Sequence, residues 1–198
     1  NAFLYIIHNL HMQTNHAMMT GKSSLSYQSA RETMNSIPGD YLVMPGGMGN
    51  YLQNIYMTPV ITDVRFGNWH QLLGYPEPAH NLIYARLCYH FGRGMALSAT
   101  SRLAEAKHEL IQLRQFMKDS VLYAPFEPFS PAIEGATVAE NILDGQIALK
   151  EKRWEDAIRS FAVAVNREEN MVYNEPRDWM LNPRHFLGNA YLAAGKPA

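Results

Sequence analysis

Apolar residues recur at helical spacing along nearly the whole chain, and the pattern is sharpest from Asn141 to Asn166. Gly145 and Ala148 fall on one apolar face there. Trp154, Ala157, Phe161 and Ala164 fall on another, so the stretch predicts two helices joined by a tight turn. Arg184–Ala194 echoes the first of them: Gly188 answers Gly145, Tyr191 answers Ala148, and Gly195 answers Lys152 at the turn. A small residue at a helix crossing lets two axes approach closely. A single hairpin cannot bury both of its faces, which is why such units stack in rows.

The same alternation predicts further pairs. Phe3–Met19 carries Leu4, Ile7, Leu10 and Ala17 along one side, and Gly21 ends it. Ser23 or Ser24 can cap a second helix that runs to about Ser36, before Pro38-Gly39. Met44–Asn50 reads as a loop, and Tyr51–Arg65 as a helix that Pro59 kinks or breaks. After Gly67, Asn68 can cap a short helix Trp69–Leu73, cut off by Gly74-Tyr75-Pro76-Glu77-Pro78. Ala79–Thr100 and Ser101–Lys118 form a long pair, with Gly94 as the small residue. Asp119–Pro131, with three prolines and three aromatics, reads as an extended excursion packed against something. Ala132–Lys150 pairs with Arg153–Asn166, and Glu168–Pro183 is a second long connection. The units are therefore expected at 3–38, 51–76, 79–118, 132–168 and, incomplete, 184–198.

Gly145, Ala148, Trp154, Ala157, Phe161 and Ala164 together resemble the tetratricopeptide repeat, whose standard unit is about 34 residues. The resemblance implies an all-α fold: a right-handed superhelix, or solenoid, of helical hairpins. Spacing longer than the standard unit places the surplus in the inter-repeat loops. The chain also resembles an uncharacterised group of bacterial proteins with such repeats. The shared features are His8-Asn9-Leu10-His11 with Met18-Met19, Val64–Trp69, Tyr89–Gly94, and Tyr173–Trp179 leading into Pro183-Arg184. That resemblance implies a fold and hardly a function; a soluble protein of the bacterial cytoplasm or periplasm is expected, with neither compartment singled out.

Composition narrows the classes. A net charge of −1 gives no field to recruit nucleic acid or an anionic membrane. Cys88 stands alone, which excludes an internal disulfide and a zinc–thiolate site. No apolar run approaches the ~20 residues that span a bilayer. The chain opens inside a helical pattern and stops where a second helix is due, so a longer repeat protein is expected around it.

The candidate chemistry is sparse. His8, His11 and Asn15 share one helix face, and two imidazoles one turn apart can serve a zinc or copper site, with His16 or His185 as a third ligand. Otherwise they are polar groove residues or satisfied interior histidines. His90 and Arg93 can hold an anion or carboxylate; otherwise Arg93 pairs with Glu140 or Glu105 to lock neighbouring helices. Trp179 and Arg184 mark the loop Tyr173–Trp179, as ligand contacts or as a plug over the stack. Gly21-Lys22-Ser23 lacks the upstream glycine of a phosphate loop, and His108-Glu109 lacks the second histidine of a metalloprotease helix. No catalytic triad order stands out.

The expected function is non-catalytic: a protein, peptide or small ligand bound in a concave groove lined by His8, His11, Asn15, Arg65, Gln146, His185 and Asn189. The alternatives are a metal-carrying protein built on His8 and His11, and a spacer whose polar clusters only staple helices.

Overall fold

Five helix ends in this chain close in the same way. In the computed structural model, which describes residues 2–196, Gly21, Gly67, Ser101, Lys152 and Gly195 all take φ between 61° and 71°. In each case the next N–H donates to the carbonyl five residues back. Lys22 reaches Ala17 at 2.9 Å, Asn68 reaches Asp63 at 2.9 Å, Arg102 reaches Leu97 at 2.8 Å, Arg153 reaches Ala148 at 2.9 Å and Lys196 reaches Tyr191 at 2.9 Å. This is the Schellman closure, which satisfies the last carbonyls of a helix. The last expected unit ends at Pro197-Ala198, outside the described residues.

Ten α-helices and no β-strand occur among the described residues. The first four closures follow α1 (Ala2–Met19), α4 (Thr58–Phe66), α6 (Ile83–Ala99) and α8 (Ala132–Lys150), and lead into α2 (Ser23–Asn35), α5 (Trp69–Gly74), α7 (Leu103–Phe116) and α9 (Trp154–Asn170). The fifth follows α10 (Pro183–Ala193). α3 (Gly47–Tyr56) precedes α4 across a break at Met57, with Pro59 in the first turn of α4, where its missing N–H costs nothing. No described helix is long and apolar enough to cross a membrane.

Packing links each pair to the next along the chain. α2 packs on α4, α3 and α4 on α6, α6 and α7 on α8, and α8 and α9 on α10. The small residues sit at the crossings, as the pattern requires. A Cβ on Gly145 would lie 2.6 Å from the Phe161 ring, and one on Gly94 2.6 Å from Leu143. The first pair solves the same problem with hydroxyls. Ser26 donates to the Thr14 carbonyl at 3.4 Å, and the Thr14 and Ser29 hydroxyls lie 2.9 Å apart, all three fully buried.

Three boundaries differ from expectation. α3 starts inside the stretch read as a loop, because Gly49 serves close packing instead of a turn: a Cβ there would collide with the Met44 carbonyl. α6 starts at Ile83 instead of Ala79, because the residues after Pro78 make a turn, with the Leu82 N–H donating to the Ala79 carbonyl at 2.9 Å. α9 runs to Asn170, so the connection to α10 is shorter than expected.

Candidate functional site

α3, α6 and α8 pack on one another and share a face. The chain covers the middle of it with its own two long connections. Tyr51 of α3 stacks on Phe126 at 5.0 Å and on Phe129 at 6.5 Å. Asn50 donates to the Val121 carbonyl at 2.7 Å, and Asn54 to the Asp178 carbonyl at 3.2 Å. The Val172 N–H reaches the Ser130 hydroxyl at 2.8 Å, tying one connection to the other. Trp179 is buried edge-on against Phe91 of α6 at 5.1 Å, so it is a plug and not a groove surface. Burial pushes the Asp178 carboxyl up, against the opposing hydrogen bond from Asn174. The space left between these residues is about 30 Å³, room for one or two waters.

The remaining groove candidates do not form one patch. His8 and His11 are neighbours on α1. His11 is 4 % exposed and its pKa is lowered to about 4, first by burial and then by the charge of His8. Asn15 Nδ2 donates to Met19 Sδ at 3.8 Å. Arg65, exposed on α4, donates to the Met18 carbonyl at 3.4 Å and so ties α4 to the end of α1. Gln146 is half-buried on α8, and His185 and Asn189 are exposed on α10. Arg184 pairs with Glu169 and lies 3.8 Å from buried Glu168, which also takes a 2.6 Å bond from Arg177.

The third ligand expected for a metal does not arrive. α1 packs on α2 and α4 whereas α10 packs on α8 and α9, so His185 sits at the other end of the row. His16 is exposed whereas His11 is buried on the same helix. Among the described residues no three His, Cys, Asp or Glu side chains gather in a way that could hold a metal ion.

His90 and Arg93 do come together, and their partner is Glu109, neither Glu140 nor Glu105. His90 Nδ1 lies 2.6 Å from Glu109 Oε2, and Arg93 Nε donates to Oε1 at 3.0 Å. Burial alone would raise the Glu109 carboxyl. The hydrogen bonds and charges of His90 and Arg93 outweigh it and hold the group below its ordinary value. Glu140 instead accepts from Arg114 at 2.8 Å, locking α7 to α8, and Glu105 pairs with Arg102 on its own helix. The hairpin register carried this signal: Arg93 and Glu109 stand at equal distances either side of Ser101.

Beside this cluster lies a cavity of about 490 Å³ that no sequence pattern announced. Its walls are Met34 from α2, Tyr56 and Met57 at the break between α3 and α4, Pro59 and Val60 of α4, and Leu82 and Tyr89 from the α6 side. The segment Tyr75–Ala79 straps across it. That strap is anchored at its start and its middle: the Tyr75 hydroxyl donates to Asp63 at 2.7 Å, and Glu77 is paired with Arg86. The walls are apolar and aromatic with one carboxylate, a make-up common among small-ligand pockets. No family model, curated protein or solved structure matches the chain.

Proposed function

We propose that this chain is a non-catalytic helical-repeat scaffold of tetratricopeptide type, its hairpins wound as a right-handed solenoid, and that it binds a small ligand or a side chain of a partner peptide in the cavity under the Tyr75–Ala79 strap. Support for the repeat assignment comes from the five like closures and the small residues at Gly94, Ala106, Gly145 and Ala157. The cavity carries the binding reading: at about 490 Å³ it falls within the roughly 300–1,000 Å³ typical of ligand pockets. The face of α3, α6 and α8 is the weaker place for a partner, because Trp179, Phe126 and Phe129 already occupy its middle.

Ala79 is exposed and lies on the wall. Ala79→Trp is therefore expected to fill the entrance without disturbing the core. Saturation-transfer NMR of wild type and variant against a fragment library tests the reading. Fragments that bind wild type and are lost in the variant support it. The same fragments in both proteins, or none in either, refute it.

A further inference from the structure

Among the described residues, Glu77 is the one charged residue in the walls of the strap cavity, and its environment is lopsided. Arg86 directs both its Nε, at 2.8 Å, and an Nη at Glu77 Oε1. The His90 Nε2 also faces that oxygen, at 3.6 Å, and itself makes no hydrogen bond among the described residues. Glu77 Oε2 takes part in no hydrogen bond with any described residue, and the side chain is 40 % exposed. A carboxylate oxygen has room for two donors, so this one is an open acceptor. Arg86 is not free to serve a ligand, since its guanidinium lies 4.6 Å over the Phe116 ring while its donors point at Oε1.

Three tyrosines, Tyr56, Tyr75 and Tyr89, share the cavity with that carboxylate, and no described lysine or arginine lines it. Ring faces attract a cation and repel an anion, and the attraction grows where water is excluded. Methionine sulfur from Met34 and Met57 adds soft, adaptable wall. An anionic ligand would meet Glu77 with no lining cation. A neutral apolar ligand would leave Oε2 without a partner in a partly dry site.

On the reading that the strap cavity is the binding site, we propose that its ligand is an organic cation: an ammonium group on an apolar body, with the nitrogen beside Glu77 and the body among the tyrosine rings. A substituted ammonium suits the site better than a bare one, because it gives up less hydration on entering an aromatic enclosure.

The test is isothermal titration calorimetry of the full chain with three probes: N,N-dimethylbenzylammonium, which keeps one N–H donor, its neutral carbon isostere isobutylbenzene, and phenylacetate. The expected order places the cation at least about tenfold tighter than the isostere, with phenylacetate weakest. Glu77→Gln should weaken the cation by about tenfold and leave the isostere unchanged. Tyr56→Leu should weaken the cation more than the isostere, which keeps the test sound if Glu77→Gln disturbs the strap. Equal affinity of cation and isostere, or a cation indifferent to both substitutions, overturns the proposal. If the isostere still loses its binding in Ala79→Trp, the cavity stands as a site and only its ligand class was wrong. If none of the probes binds wild type, the cation proposal fails, and a blank fragment screen would then remove the cavity reading too.

Discussion

Acidification should destabilise this protein through one imidazole. His11 is enclosed in α1, and burial, with the charge of His8 added, lowers its pKa from 6.5 to about 4. The folded state thus resists a proton that the unfolded chain accepts. The neutral side chain's contribution is fully present above pH 6.5 and is lost progressively as pH falls towards 4. A tenfold weaker hold on the proton corresponds to about 1.4 kcal/mol. Between pH 7 and pH 5 the loss from His11 comes to about 2 kcal/mol, and below pH 4 it levels off at about 3 kcal/mol. That is a large part of the ~5–15 kcal/mol that holds a domain folded.

The assay is urea unfolding of wild type and His11→Gln at pH 7 and at pH 5. Asp63 and Asp178, both pushed up by burial, titrate in the same direction in both proteins and cancel in the difference. The stability advantage of wild type over the variant should shrink by about 2 kcal/mol on going to pH 5. His8→Gln removes only the smaller of the two causes, so it should keep most of the pH dependence. Parallel stability profiles for wild type and His11→Gln would refute the argument, because the imidazole would then titrate alike in folded and unfolded chains.

Two further outcomes follow from packing. Gly145→Ala must displace the fully buried Phe161 ring and should cost on the order of 1–2 kcal/mol even after the gain in helix propensity, whereas Gly188→Ala, with no atom within 4 Å of its new methyl, should gain up to about 1 kcal/mol; thermal unfolding of the pair should show opposite signs. Burial pushes the Cys88 thiol well up, so the folded protein should not react with a thiol-specific disulfide reagent at pH 8, and the thiol should titrate fully once urea unfolds the chain. Fast labelling of the folded protein would show that α6 opens locally.

The helices were legible because their signal is local. Gly21, Gly67 and Gly195 announce left-handed closures, and the turns at Ser101 and Lys152, which have no glycine, could be placed from the apolar spacing on either side. The aromatic connection at 119–131 was rightly expected to pack, and it does so on Tyr51. What failed was non-local. Gly47 and Gly49 look like turn residues in sequence. In the fold they are contact residues: a Cβ on Gly47 would press on Phe126 and Pro125. Glu109 is one of two carboxylates on α7, with Glu105, and only the hairpin register singles it out as the partner of His90 and Arg93. The walls of the strap cavity come from positions 34, 56–57, 59–60, 75–79, 82 and 89, and each residue alone reads as core filler or turn.

The shortness of α5 links the repeat pattern to the cavity. α2, α7 and α9 have 13, 14 and 17 residues, whereas α5 has six. A second helix of ordinary length would continue for about two more turns, roughly 11 Å, back along α4 and α3 beside the start of α6. Met34, Tyr56, Met57, Val60, Leu82 and Tyr89 line the cavity beside the segment that stands in its place. Pro76 and Pro78 forbid that continuation, since each lacks an N–H and disfavours helix in the residue before it. The chain crosses the gap as an extended strap instead, pinned by Tyr75 to Asp63 and by Glu77 to Arg86. The stunted second unit is thus the place where a row of otherwise close-packed hairpins opens a cavity. Restoring the helix with alanine at 76 and 78 would fill that space at the expense of the proposed site.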